Sequence, residues 1–120
     1  MFLLDTDVLS HYWIGNQRVV QRVFEAAAFK VGITSITKAE VLRRRCENLL
    51  KAESAVEILK AQSRLDLTET RLARLSVVPF SEPAAERFDR LLQVDRLKRI
   101  GRADMLIASI AIANDATLVT

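Results

Sequence analysis

Four short apolar runs, separated by longer stretches of helical periodicity, restrict the fold of this chain more than any other feature. They are Phe2-Leu3-Leu4, Lys30-Val31-Gly32-Ile33, Leu75-Ser76-Val77-Val78-Pro79-Phe80 and Ala116-Thr117-Leu118-Val119-Thr120. Runs this short and this apolar read as buried strands. Strands that alternate with helices call for parallel pairing, with helices covering both faces of the sheet. The expected fold is therefore α/β, a three-layer α/β/α arrangement with a mainly parallel sheet, in a single domain over residues 1–120.

The intervening segments support this. Val8, Leu9, Tyr12 and Trp13 recur at helical spacing until Gly15-Asn16 stops them. A second amphipathic helix is predicted over Gln17 to Phe29, with Val19, Val20, Val23, Phe24 and Ala27 inward. Hydroxyls between Thr34 and Thr37 offer caps before Ala39-Glu40-Val41-Leu42 opens a third helix, and Glu47 to about Arg74 is strongly helical. Ser81 with Pro83 marks a helix start that runs to about Lys98. Arg102 to Asn114 is apolar on nearly every face, the pattern of a buried helix.

Composition excludes several classes. Half of the 120 residues are hydrophobic, enough for a core without staples. The single cysteine, Cys46, rules out an internal disulfide framework and a cysteine-built zinc site. Met105 to Ala113 falls well short of the roughly 20 apolar residues that a bilayer requires. Asp5 interrupts the N-terminal apolar run too early for a signal peptide. A cytoplasmic protein with no membrane partner is expected. Eighteen Lys and Arg against fifteen Asp and Glu give a net charge of +3. Arg43-Arg44-Arg45 form one cluster, and Arg87, Arg90, Arg96, Lys98, Arg99 and Arg102 a second. Such residues either contact phosphates or form solvated helix faces.

The chemistry rests with carboxylates. Gly15, Gly32 and Gly101 stand alone, so no phosphate-binding glycine loop exists, and a lone His11 has no nucleophile pattern to serve. Asp5, Glu40 and Asp104 each interrupt an apolar context. Asp5 follows the first strand, at the strand end where open parallel sheets place ligands. Each acid also has a purely structural reading: Asp5 as an N-cap, Thr37 to Glu40 as a capping box, and Asp104 as a complement to a helix dipole. Gathered at one sheet edge, they would repel unless a cation sat among them. A hard divalent ion with oxygen ligands suits that role, and with nearby basic residues it suits phosphodiester hydrolysis.

Three segments in order, Met1-Phe-Leu-Leu-Asp-Thr-Asp-Val-Leu9, Ile33-Thr-Ser-Ile-Thr-Lys-Ala-Glu-Val41 and Ile100-Gly-Arg-Ala-Asp-Met-Leu-Ile-Ala-Ser-Ile-Ala111, with the final Ala116–Thr120 run, resemble the PIN-domain ribonucleases. Within them the chain is most similar to the VapC type, the toxin half of a bacterial toxin–antitoxin pair. The resemblance implies a PIN-like fold and internal cleavage of RNA. It implies Mg2+ or Mn2+ held by Asp5, Glu40 and Asp104, which match the family's first three acidic positions. It also implies a homodimer and a cognate antitoxin protein as partner. Asp7 stands where the family usually has asparagine, and Thr6 and Thr37 match hydroxyl positions near the site. Arg99 and Arg102, close to Asp104, are candidates for guiding the RNA backbone. The family's fourth acidic position falls after the final run, beyond Thr120, so the sequence reads as truncated before the last strand, with activity of the chain in question.

Two other readings fit parts of the sequence. A PIN scaffold of impaired activity would still dimerise and bind an antitoxin, using the apolar helices between Glu47 and Leu75 as a groove. Leu4-Asp5-Thr6-Asp7 also matches the start of a haloacid-dehalogenase-like phosphatase, but Leu9 and the lack of a later Gly-Asp-x-x-x-Asp stretch count against it. Tyr12 and Trp13 suit core or dimer packing better than base stacking, His11 suits surface or packing, and Cys46 has no assigned role.

Overall fold

The computed structural model describes residues 1–26 and 30–120. Its elements run β1 (Phe2–Leu4), α1 (Thr6–Trp13), α2 (Gln17–Glu25), β2 (Val31–Thr34), α3 (Ser35–Lys51) and α4 (Ala55–Ala73). They continue through β3 (Ser76–Val78), α5 (Glu82–Leu92), a 3-10 turn (Asp95–Leu97), α6 (Arg102–Ala113) and β4 (Thr117–Val119). The sheet order is β3-β2-β1-β4, and every pairing is parallel. The expected three-layer α/β fold is what the chain adopts.

The period-2 alternation of the strands splits the core into two layers. Leu3 faces Val78, Ala84, Ile110 and Ala111, beneath α5 and α6. Its neighbour Leu4 faces Leu9, Ile33, Val41 and Leu72, beneath α1, α3 and α4. Leu118 and Val119 divide between the two clusters in the same way. α6 buries Met105, Ile107, Ser109, Ile110 and Ala111, and the buried Ser109 hydroxyl donates to the Met105 carbonyl at 2.7 Å, so this apolar helix carries no stranded polar group there.

Caps fix most element boundaries. Gly15, at φ 81°, closes α1 as its N–H donates to the Tyr12 carbonyl while Asn16 N–H reaches the His11 carbonyl, the paired bonds of a Schellman end. Asn16 then caps α2, accepting from the N–H groups of Arg18 and Val19. Ser81 caps α5, with Pro83 in its first turn, as the sequence predicts. Asp115, at φ 50°, makes the turn between α6 and β4.

Several expectations are corrected. The second helix ends at Glu25, and Val20 and Phe24 are exposed at 38% and 76%, because this short helix lies at the edge of the fold with one apolar flank covered. Ala27, also expected inward, lies outside the described residues. The third helix begins at Ser35, four residues before Ala39, because Thr34 accepts the Thr37 N–H and starts it earlier. The helical stretch from Glu47 breaks at Ala52 to Ser54, where extended backbone and the Ser54 cap begin a new helix. The helix from Ser81 stops at Leu92, and only a 3-10 turn carries on towards Lys98.

Candidate functional site

Chain direction decides where the acids stand. α6 leads into β4, and β4 runs parallel to β1, so α6 descends past the sheet from its carboxyl edge. Its N-terminal turn, with Asp104, therefore lies at the same edge as Asp5, which follows β1, and α3, which follows β2. β1 is also the strand at which the connections diverge: the chain passes to β2 on one side and returns to β4 on the other. Ligands of open parallel sheets gather at such a point.

Asp5 is held from two directions. Its N–H donates to the Val119 carbonyl at 3.0 Å, and its Oδ1 accepts the Val8 N–H at 2.8 Å as the N-cap of α1. The capping role and a role at the site coexist, since a carboxylate has lone pairs beyond the one the cap uses. Thr6 Oγ1 donates to Glu40 Oε1 at 3.4 Å, linking the residue after Asp5 to the second turn of α3. That bond replaces the capping-box reading of Glu40: with α3 starting at Ser35, Glu40 is too far into the helix to reach back to Thr37. Asp104 is exposed in the first turn of α6, its Oδ2 close to Gly101, the N-cap that has no side chain of its own to offer.

The structure thus links Thr6, the residue after Asp5, to Glu40, and puts Asp104 on the same edge; among the described residues no hydrogen bond joins Asp104 to either acid. Among the described residues, no group of three or more His, Cys, Asp or Glu stands close enough to hold a metal ion by itself. The trio expected from the sequence is therefore not gathered into one cluster: Asp5, Glu40 and Asp104 share an edge of the sheet, and the side chains as they stand do not converge on a common point. Its donor chemistry, three carboxylates with the one histidine at the far end of α1, fits a hard cation that keeps several waters.

The remaining candidates separate clearly. Asp7 is exposed on α1. Thr37 is fully buried and receives the Thr34 hydroxyl at 3.2 Å, so its hydroxyl serves the start of α3. Arg99 is exposed, and the Arg102 guanidinium lies over the Phe88 ring at 6.0 Å. Tyr12 and Trp13 pack against the core, with Arg71 over the Trp13 ring at 5.7 Å, and Cys46 is exposed. Sequence reading grouped Arg45 with Arg43 and Arg44 without singling it out; it is half-buried, donates from Nε to Thr68 Oγ1 at 3.1 Å and has its pKa lowered by burial and by Arg64, Arg44 and Arg71. Only its place in the arginine run pointed to it.

The PIN domain model matches residues 2–120, and the chain belongs to the PIN-domain family. Among solved structures, the VapBC2 complex of Rickettsia felis bound to promoter DNA is similar at 28% identity and a TM-score of 0.73, covering 99% of this chain and 85% of the other. FitAcB from Neisseria gonorrhoeae is similar at 27% identity and a TM-score of 0.72, covering 100% and 86%. FitAB bound to the IR36 DNA fragment is similar at 27% and 0.75, covering 100% and 84%. The VapC-type resemblance read from the sequence is thereby supported in fold and family. Comparison with curated proteins returns no match.

Proposed function

We propose that this chain is a metal-dependent endoribonuclease, the toxin of a toxin–antitoxin pair. PIN domains are generally nucleases, and the similar solved structures include VapBC2 and FitAB, with one from Klebsiella pneumoniae described as a toxin–antitoxin complex. The observation that carries the reading is the Thr6–Glu40 bond, which couples the first acidic motif to the second at the sheet edge where Asp104 also stands.

Asp5, Glu40 and Asp104 would hold Mg2+, or Mn2+ in its place. When bound there, such an ion would supply an activated water and charge stabilisation for phosphodiester hydrolysis. The protein's own share is positional. Asp5 is fixed by the Val8 and Val119 backbone, so its carboxylate stays at the end of β1. Thr6 orients Glu40 through its hydroxyl, leaving Glu40 Oε2 for other work. Asp104, exposed in the first turn of α6, would supply the third carboxylate. Arg99 and Arg102, at the same edge, draw in the polyanionic RNA.

The partners in this reading are an RNA substrate, a second copy of the chain and a cognate antitoxin protein, in the cytoplasm. No described helix is long and apolar enough to cross a membrane. Leu50, Val56 and Leu59, exposed at 84%, 61% and 65% around the α3–α4 turn, supply apolar surface for a protein partner. They also favour the second reading, a PIN scaffold that binds an antitoxin without cutting RNA.

RNA cleavage in Mg2+ or Mn2+, beside Asp5→Asn and an EDTA control, separates the two. Metal-dependent cutting lost in the variant supports the nuclease. Antitoxin capture by a chain that does not cut supports the scaffold, and cutting that survives Asp5→Asn removes the assignment of Asp5.

A further inference from the structure

We propose that the cleft between α3 and α4 is a phosphate cradle for single-stranded RNA, holding backbone phosphates a few nucleotides away from the bond at the carboxylate edge. The inference rests on the ribonuclease reading and adds a second binding surface to it.

The cleft is a cavity of about 300 Å³ whose lining includes Arg45, Asn48, Lys51, Lys60, Arg64 and Glu57. Four of those six are cations. Among the described residues, the ion pairs are Arg43–Glu47 and Lys98–Asp95, so none of the four has a carboxylate within pairing distance. Glu57, the one carboxylate in the lining, accepts the Glu53 N–H on Oε2 at 3.1 Å and pairs with none of the four, so the lining keeps an excess of positive charge. Excess positive charge concentrated in a concave surface attracts polyanions.

Arg45 supplies the fixed point. Its Nε–H donates to Thr68 Oγ1, and Thr68 is 3% exposed on the facing helix, so the guanidinium plane is set while its terminal nitrogens have no protein partner among the described residues. Burial and the neighbouring arginines push its pKa down, the mark of like charges held together without a counter-ion. A phosphate satisfies both needs, because the arginine fork matches its oxygens and its charge relieves the repulsion.

The cleft and the carboxylate edge share one helix, and a strand joining them would follow α3 and turn part of the way around it. Glu40, Arg45, Asn48 and Lys51 lie on the same helix, α3. At about 1.5 Å of rise per residue, the cleft begins roughly 7 Å beyond Glu40 along the axis and extends to roughly 17 Å. A single strand crossing the cleft and reaching Glu40 spans a few nucleotides. The lining favours nucleic acid over a peptide, since its apolar members are Ala52 and Ala61, while Leu50, Val56 and Leu59 lie outside the cleft.

The test is binding of a fluorescent, mixed-sequence single-stranded RNA to the whole chain in EDTA, over a range of salt concentrations. Lys60 and Arg64 are exposed, so Lys60→Ala/Arg64→Ala should fold normally. The double variant should bind about tenfold more weakly, and the slope of log K against log salt should fall by about 1.4, at roughly 0.7 for each phosphate contact on a single strand. Arg18→Ala/Arg22→Ala, which removes the same charge from α2, should leave the slope unchanged. A wild-type slope in the first variant, an equal loss in the second, or displacement of RNA from the cleft by polyglutamate at lower concentration overturns the cradle. If wild type binds and cuts RNA while Lys60→Ala/Arg64→Ala does so equally well, the cradle alone falls. If wild type does not bind RNA, the ribonuclease reading falls with it.

Discussion

Thr6 Oγ1 donates to Glu40 Oε1 at 3.4 Å, joining α1 and α3 across 34 positions of sequence. The bond is long and half-buried, so its net contribution to folding is small, about 0.5 kcal/mol. Its value lies in orientation of the carboxylate. Thr6→Val keeps the shape and removes the donor. Its urea midpoint should stay near wild type while RNA cleavage falls about tenfold, equivalent to about 1.4 kcal/mol in the barrier. Thr6→Ser should restore most of the rate. Undiminished cleavage by Thr6→Val would show that Glu40 needs no orienting partner.

Asp5 serves two ends at once, and two substitutions separate them. Asn caps a helix as well as Asp does, whereas Ala costs about 1 kcal/mol at such a position. Asp5→Asn should therefore retain stability in urea unfolding, and Asp5→Ala should lose about that amount as the Val8 N–H goes unpaired. Both should abolish metal-dependent cleavage. A stable, active Asp5→Asn would leave Asp5 as a cap alone.

Gly32 sits opposite Ser76 in the β2–β3 ladder, and a Cβ added there would lie 2.5 Å from the Ser76 carbonyl oxygen. That neighbour is backbone and cannot rotate away. Gly32→Ala must spread the two strands, at an expected cost of about 3 kcal/mol. Because β2 runs into the Thr34 cap of α3, the same strain should reach Glu40, so cleavage should fall along with the urea midpoint. A wild-type midpoint would mean that the two strands separate more readily than their parallel ladder implies.

The layer order and the sheet edge at which Asp5 and Asp104 stand were legible because both depend on local pattern: Leu3 and Leu4 alternate across the sheet, and the two acids sit at the turns that end a strand or open a helix, whereas how closely the acids approach one another is set by packing that no local pattern encodes. Glu40 was legible as a candidate, but its partner was not, since Thr6 is 34 residues away and only the β1–β2 pairing brings α1 and α3 together. The start of α3 was misplaced because Thr34 and Thr37 are both competent caps, and only the buried Thr34–Thr37 hydroxyl pair selects the earlier one. Val20 and Phe24 have the right spacing for a core, yet spacing cannot say whether a short edge helix has anything to cover its second apolar flank. Arg45 was one of three consecutive arginines, and α4 alone distinguishes it from its neighbours through Thr68 and Arg64.

The crowding around Arg45 carries a stability consequence. An arginine cannot shed its proton in a protein, so repulsion from Arg64, Arg44 and Arg71 is borne as lost stability. Arg64 is exposed, and it has no ion-pair partner among the described residues. Arg64→Gln should therefore stabilise the fold by ~0.5 kcal/mol at low ionic strength, the scale of exposed charge interactions. The gain should shrink as salt rises, because added ions screen the same repulsion. If the α3–α4 cleft holds phosphate as proposed, inorganic phosphate should stabilise wild type more than Arg64→Gln, since a ligand of the folded state alone favours folding. Urea unfolding at low and high salt, with and without phosphate, measures all three. Destabilisation by Arg64→Gln at low salt would mean that Arg64 makes a favourable contact that outweighs its repulsion from Arg45. Equal stabilisation of both proteins by phosphate would place the anion away from α4.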